Sequence, residues 1–258
     1  MTNIILLGFL ASLAAGLMTA VGAVPVLFGR TVPRRINDAL LGFAAGVMLA
    51  ASFFSLIIPS LEASADLYGG NLAPASIAAA GVVLGVLAIA LINEFIPHEH
   101  FVIGREGPHA ASLTKIWLFI IAITIHNIPE GLAVGIGFGG GDISNGTSLA
   151  VGIGLQNAPE GLAVAVALTS EKYSKLFAFT VACLTGLVEP IAGFLGAAAV
   201  TLIEPALPWG LAFAAGAMIY VISHEIIPET HRRGHQREAT AGLTIGLAMM
   251  MFLDIAFG

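Results

Sequence analysis

Eight long apolar runs dominate this sequence and restrict its possible folds more than any other feature. A bilayer core of about 30 Å takes about 20 apolar residues per helix, so eight helices use roughly 160 residues. Only 10% of the 258 residues are charged, against about a quarter in soluble domains. We therefore predict an all-α integral membrane protein with transmembrane helices over 4–28, 40–58, 75–96, 116–138, 147–169, 176–203, 211–227 and 239–257.

Composition also excludes several classes of function. Cys183 is the single cysteine, so a disulfide framework is excluded. The net charge of −6 and the lack of a long basic run argue against a nucleic-acid partner. The first apolar run is too long for a cleaved signal peptide and has no cationic start, so we expect it to remain as a helix.

The cationic residues predict the orientation of the chain. All ten fall in the first, third, fifth and seventh connections, as Arg30, Arg34, Arg35, Arg105, Lys115, Lys172, Lys175, Arg232, Arg233 and Arg237. Lys and Arg in short loops stay on the cytoplasmic side. We therefore predict a multi-pass protein of the cell membrane whose two termini both face away from the cytoplasm.

An internal repeat predicts the architecture. Residues 43–46 (Phe-Ala-Ala-Gly) recur as 213–216, and 57–59 (Ile-Ile-Pro) recur as 226–228. The two copies lie in spans of opposite direction, as in transporters built from inverted repeats. We predict one transmembrane transporter domain over 1–258, with spans one to three and six to eight as inverted repeats around spans four and five. The alternative is chance similarity between helices rich in small residues.

A second duplication places polar residues at bilayer depth. Residues 126–134 and 156–164 agree at seven of nine positions, and each copy contains Asn, Pro, Glu and Gly in the same order. Ionised side chains at this depth cost roughly 2.5 to 3.5 kcal/mol each, so these faces must avoid lipid. Side chains four apart share a helical face, which pairs His126 with Glu130 and Gln156 with Glu160. Each copy resembles half of a cation site.

Prolines and a third carboxylate extend this polar region. Pro129 and Pro159 remove helical hydrogen bonds, and we expect broken helices at both positions, as tolerated beside a cavity. Glu189, followed by Pro190, lies near the middle of span six. No Lys or Arg lies well inside a span, so protons or a bound cation must neutralise the three carboxylates. Protonated carboxyls that only join helices are the alternative.

Ligand chemistry favours a transition metal. Imidazole with carboxylate suits zinc, iron, cobalt or nickel, whereas calcium and magnesium prefer oxygen ligands. Amide ligands such as Asn127, Gln156 and Asn157 bind weakly and permit exchange, which suits transport. Met48, midway along span two, is a candidate thioether ligand or packing filler. Zinc is the first expectation, as transported substrate and not as a prosthetic group, with cadmium, iron and manganese as further candidates.

Further polar residues flank the spans on both sides. Glu62 and Asp254 lie near the outer face and are predicted to gather cations at an entrance. A His-rich inner rim is predicted to collect or sense metal, or to be a solvated loop. Its exit candidates are Asp38, His98, His100, His224 and Glu225, with His109, His231 and His235 in the loops.

Together these motifs resemble the ZIP (Zrt/Irt-like protein) family of divalent-metal transporters, in its bacterial branch. The resemblance rests on residues 126–131, 156–161, 189–190 and 223–229 and covers essentially the whole chain. It implies eight helices in a three, two and three arrangement, a homodimer, and import of metal into the cytoplasm by alternating access. It also implies a binuclear centre, with one metal at Met48, His126, Glu130, Gln156 and Glu160 and a second at Asn127, Asn157 and Glu189, bridged by Glu130 and Glu160.

Two positions depart from a common family pattern, and two other functions stay open. Gln156 stands where the family often has His, and Asn157 where it can have Asp, so occupancy of the second site is an open question. The runner-up functions are an intramembrane metal-dependent hydrolase and a membrane metal sensor without flux. The hydrolase lacks the His-Glu-x-x-His pattern, so we do not expect an enzyme.

Overall fold

A computed structural model of the protein describes residues 2–29, 32–100, 104–106, 115–231 and 234–257. Within these ranges, eight helices are long and apolar enough to cross a membrane, which confirms the predicted fold class. They are α1 (Thr2–Leu27), α2 (Arg34–Tyr68), α3 (Leu72–Phe95), α4 (Lys115–Gly139), α5 (Ile143–Ser170), α6 (Lys175–Leu202), α7 (Ala206–His231) and α8 (Gln236–Phe257). Arg30, His109, Arg232 and Arg233, which entered the predictions, lie outside the described residues, as does the side chain of Arg105.

Several helices extend beyond the predicted apolar runs. The second run was predicted over 40–58, whereas α2 covers Arg34–Tyr68. Hydropathy detects the part of a helix that suits lipid, and the polar turns at either end continue the same hydrogen-bonded helix. The predicted breaks at Pro129 and Pro159 are wrong, because α4 and α5 continue through both prolines. Proline has a helical φ and removes only one backbone donor, so packing from neighbouring helices keeps the helix intact.

Irregular backbone lies in three other helices. Ala51–Ile57 of α2 and Ile222–Ile226 of α7 form π-helical turns, and each turn ends at the repeated Ile-Pro sequence. α6 is interrupted at Leu187, between two α-helical segments. Single π-helical turns often occur at functional sites, and the turn in α7 contains His224 and Glu225.

The helices pack as two groups, α1 with α4, α5 and α6, and α2 with α3, α7 and α8. Small residues let membrane helices approach closely, and glycines do so here within both groups. Close approaches include Gly161 (α5) on the Thr19 carbonyl (α1), Gly131 (α4) on the Glu189 carbonyl (α6), Gly46 (α2) on the Leu243 carbonyl (α8), and Gly216 (α7) on the Val82 carbonyl (α3).

These four contacts are related to one another in pairs. In the predicted repeat, spans one, two and three correspond to spans six, seven and eight, and span four corresponds to span five. The α1–α5 contact then corresponds to the α6–α4 contact. In the same way, the α2–α8 contact corresponds to the α7–α3 contact. Gly16 and Gly186, in α1 and α6, face each other's carbonyl oxygens, so their contact corresponds to itself.

A short hairpin follows α3. Strands β1 (His98–His100) and β2 (Gly104–Glu106) are antiparallel, and His98 pairs with Glu106. The hairpin lies at the end of the bundle that carries the cationic connections, since α3 ends and α4 begins there.

Candidate metal centre

The two copies of the repeated motif meet midway along α4 and α5. His126 is eleven residues from the start of α4 at Lys115, which is about 16 Å at 1.5 Å per residue. Glu160 is ten residues from the end of α5 at Ser170, or about 15 Å on the same scale. His126, Glu130 and Glu160 each offer one ligand atom, and these atoms lie within 4.8 Å of one another. The three side chains are 2%, 0% and 2% exposed, respectively.

Buried acceptor atoms without partners gather around this point. Within the described residues, no hydrogen bond of ordinary geometry reaches His126 Nε2, either carboxylate oxygen of Glu130 or Glu160, Asn127 Oδ1, Gln156 Oε1 or Glu189 Oε2. Each unsatisfied buried polar group costs about 1–3 kcal/mol, and a charged group costs more. A set made of acceptors and one imidazole nitrogen suits a cation, which would bind several of these atoms at once.

The amide N–H groups of the motif are used within the protein. Asn127 Nδ2 donates to a backbone carbonyl of α6 at 3.0 Å. Gln156 Nε2 donates to Asn157 Oδ1 at 2.7 Å, and Asn157 Nδ2 donates to a backbone carbonyl of α1 at 2.9 Å and to Glu189 Oε1 at 2.8 Å. This arrangement leaves the carbonyl oxygens of Asn127 and Gln156 available to a metal. The carbonyl oxygen of Asn157 already accepts a hydrogen bond.

Glu189 and Met48 lie in different surroundings. Glu189 is in the first turn after the break at Leu187 and is fully buried. Through Asn157 it is joined to the centre, so the three predicted carboxylates are gathered and not scattered. Met48 is also fully buried, and it belongs to a large apolar cluster that includes Ala133 of α4.

A cavity leads away from the centre. It has a volume of about 50 Å³ and lies between the two helix groups. One wall includes Leu41, Glu225 and Glu229 of α2 and α7, and the other includes Phe119, His126 and Glu160 of α4 and α5. Glu229 lies near the end of α7 that leads into a cationic connection, so the cavity extends from the centre toward that end of the bundle.

Polar contacts join the helices on the opposite side of the centre. Asp254 of α8, predicted at the entrance, is partly buried and accepts a 2.6 Å hydrogen bond from the Ser55 hydroxyl of α2. Asn145 Nδ2 of α5 donates to the Ser55 carbonyl at 3.2 Å. Glu62, the other predicted entrance residue, is exposed on α2. These contacts connect α2, α5 and α8 on the side away from the cavity.

The predicted exit residues divide among separate contacts. His98 and His224 both meet the Glu106 carboxylate of β2, with Nε2 to oxygen distances of 3.3 Å and 2.8 Å. Glu225 instead contacts His126, at 3.0 Å between Oε2 and Nδ1. These five side chains therefore form three contacts, two on Glu106 and one on His126, and His224 and Glu225 are adjacent residues of the α7 π-helical turn.

Two further exit candidates lie apart from these contacts. Asp38 is buried, and its Oδ2 is 2.8 Å from Nδ1 of His235 in the connection before α8. His100 pairs with Gly104 in the hairpin, but its side chain lies outside the described residues.

Sequence reasoning missed two residues of this region, Glu106 and Asn93. Glu106 lies between two histidines only because the hairpin brings β2 beside β1 and α7, and its sequence carries no signal of that fold. Asn93 Nδ2 lies 3.3 Å from Glu225 Oε1 and 3.4 Å from the Tyr220 hydroxyl. An amide side chain inside the apolar run over 75–96 was a signal that could have identified it.

Comparisons with known proteins agree on one family. Residues 98–254 match the family model described as ZIP zinc transporter. The chain is 47% identical to zinc transporter ZIPB of Bordetella bronchiseptica, over 98% of this chain and 81% of that protein. It is 44% identical to zinc transporter GufA of Myxococcus xanthus, over 97% and 99%, and 36% identical to zinc transporter ZIP11 of Homo sapiens, over 93% and 94%.

Proposed function

This chain belongs to the ZIP zinc transporter family, and we propose that it moves zinc across the cell membrane through the centre formed by α4 and α5. The observation that carries the proposal is the approach of His126, Glu130 and Glu160 to within 4.8 Å, all buried. Two carboxylates and an imidazole form a ligand set for zinc or a similar transition metal. The three relatives named above are called zinc transporters, which favours transport over the alternatives of a hydrolase or a sensor.

We propose that one zinc ion binds His126 Nε2, Glu130, Glu160 and the carbonyl oxygen of Gln156. These atoms lack protein partners within the described residues, so the ion would replace no existing hydrogen bond. The Gln156 amide is the weakest of these ligands and would let the ion leave. Met48 stays a predicted ligand; it is fully buried in an apolar cluster that includes Ala133, three residues after Glu130.

A second ion is less favoured in this chain than the resemblance implies. The predicted second site consists of Asn127, Asn157 and Glu189 with the bridging Glu130 and Glu160. Asn157 already uses its carbonyl oxygen and its N–H groups within the protein. Of the three residues that are not shared with the first site, Asn127 and Glu189 each have one oxygen without a hydrogen-bond partner, Asn127 Oδ1 and Glu189 Oε2, whereas the Asn157 oxygen already accepts a hydrogen bond. We therefore propose one bound zinc per chain.

The cavity supports a proposal for the direction of access. It lies between the two helix groups and extends toward the cationic end, which we propose is cytoplasmic. Relative movement of the groups would close it and open the opposite side, where Asp254, Ser55 and Asn145 are now in contact. Glu62 and Asp254 would then attract cations from outside, and His98, His224 and Asp38 would receive them inside.

The inverted-repeat arrangement is proposed as the basis of this movement. The paired glycine contacts and the two π-helical turns before Ile-Pro support it. Each of the two helix groups contains helices from both repeats, so the repeats would move together. The homodimer and the outward position of both termini stay predictions.

Zinc uptake into proteoliposomes tests the function. We expect the parent protein to import zinc and Glu130→Ala or Glu160→Ala to slow initial uptake at least about tenfold, as expected for loss of metal ligation. Asp66→Ala removes an exposed carboxylate of α2 and serves as the matched control. Uptake at the parent rate by both glutamate variants would exclude this centre. Cadmium, iron and manganese in parallel assays define selectivity.

A further inference from the structure

Glu225, a predicted exit ligand, also contacts a residue of the proposed zinc site. Its side chain is buried, with 5% exposure, and Oε2 lies 3.0 Å from His126 Nδ1. Its other oxygen, Oε1, accepts a 3.3 Å hydrogen bond from Asn93 Nδ2. Both oxygens are therefore engaged by side chains of α3 and α4.

The contact with Glu225 determines which nitrogen of His126 is available. A carboxylate only accepts hydrogen bonds, so Nδ1 of His126 donates and carries the proton of the neutral ring. Nε2 is then a free lone pair, and it has no partner among the described residues. Residues that hold the second nitrogen of a metal-binding histidine fix its tautomer and orientation and raise its basicity.

The local fold places Glu225 at this position. It lies in the π-helical turn Ile222–Ile226, where one extra residue is accommodated and adjacent side chains are redirected. His224, one residue earlier, points to Glu106 of the hairpin instead. Asn93, also near the Tyr220 hydroxyl, holds Glu225 from the side of α3.

We propose that Glu225 is a positioning residue that orients His126 toward the metal, with Asn93 holding Glu225 in turn. The proposal rests on the proposed function, because it requires His126 to be a ligand. Under this proposal, α7 of one helix group controls the orientation of His126, which lies on α4 of the other group. When the two groups move, the hydrogen bond between Glu225 and His126 would break, and His126 would then hold zinc less tightly.

Equilibrium zinc binding to purified protein tests this role. We expect Glu225→Ala to weaken zinc affinity about 10- to 100-fold, the usual effect of removing such a partner. Glu225→Gln keeps an accepting oxygen and should lose less affinity than Glu225→Ala. Asn93→Ala should have an intermediate effect, and Glu94→Ala, which removes the exposed carboxylate next to Asn93, should have none. Thermal unfolding of each variant reports whether the fold is intact.

A double variant distinguishes positioning from direct ligation. If Glu225 acts through His126, then His126→Ala with Glu225→Ala binds zinc as weakly as His126→Ala alone, and Glu225→Ala changes the visible spectrum of bound Co²⁺ toward that of His126→Ala. A further loss of affinity in the double variant, or parental affinity in Glu225→Ala, would overturn the positioning role. Failure of the parent to bind zinc, or parental affinity in His126→Ala, would instead contradict the proposed function.

Discussion

The side-chain amide of Asn157 donates a 2.8 Å hydrogen bond to Oε1 of Glu189. Through this contact a residue of the repeated motif stabilises a carboxylate of another helix, α6, without a metal. The same side chain accepts from Gln156, so it links the proposed zinc ligands to Glu189. We therefore expect the number of ions that the centre holds to depend on whether residue 157 is an amide or a carboxylate.

Asn157→Asp should raise the number of bound zinc ions from one to two per chain. Aspartate cannot donate to Glu189, and two carboxylates side by side in a buried site need a cation between them. Metal analysis of protein equilibrated with zinc and freed of excess would measure the ratio. Asn157→Ala removes the same donor without adding charge and should keep one ion. An unchanged ratio in Asn157→Asp would mean that the second site does not form.

Gln156→His should bind zinc more tightly and release it more slowly. Imidazole is a stronger zinc ligand than an amide carbonyl, and a gain of about tenfold in affinity corresponds to about 1.4 kcal/mol. Binding isotherms should show the lower dissociation constant, and proteoliposomes should show a lower maximal uptake rate. Gln156→Ala, which removes the ligand, should change affinity in the opposite direction. Equal affinity of parent and Gln156→His would remove Gln156 from the proposed ligand set.

Gly46→Ala and Gly216→Ala should destabilise the protein to a similar extent. An added Cβ would lie 2.0 Å from the Leu243 carbonyl oxygen in the first and 2.1 Å from that of Val82 in the second. Forcing atoms into such contacts costs about 1–3 kcal/mol, which thermal unfolding in detergent would report as a lower Tm. Ala79→Val, at an exposed position of α3, is the control. A large loss in only one glycine variant would argue against the inverted repeat.

Cysteine labelling should reveal the predicted orientation. In a Cys183→Ala background, Asn71→Cys lies between α2 and α3 and Glu171→Cys lies after α5, both at exposed positions. A membrane-impermeant maleimide added to intact spheroplasts should label Asn71→Cys and should label Glu171→Cys only after permeabilisation. The reverse pattern would invert the topology and would place the cavity on the outer side.

Much of the fold followed from local patterns. Apolar runs predict membrane helices because a segment in lipid must satisfy its own backbone hydrogen bonds, and the eight helices appear where the runs were found. Their ends were less accurate, because polar turns at the ends of α2 and α7 carry no hydropathy signal. The π-helical turns were also missed, since they depend on how α2 and α7 pack against their neighbours.

The sequence by itself determined that three carboxylates and a histidine would be buried without Lys or Arg partners. These polar residues lie inside apolar membrane spans, so they must lie at the same depth as their apolar neighbours. Only the tertiary structure decided which atoms remain open to a metal. Hydrogen bonds between helices engage Asn157 and direct Glu225 to His126, and these contacts join residues 32 and 99 positions apart in the chain. Helical periodicity relates residues three or four apart, so such partners are set by packing alone.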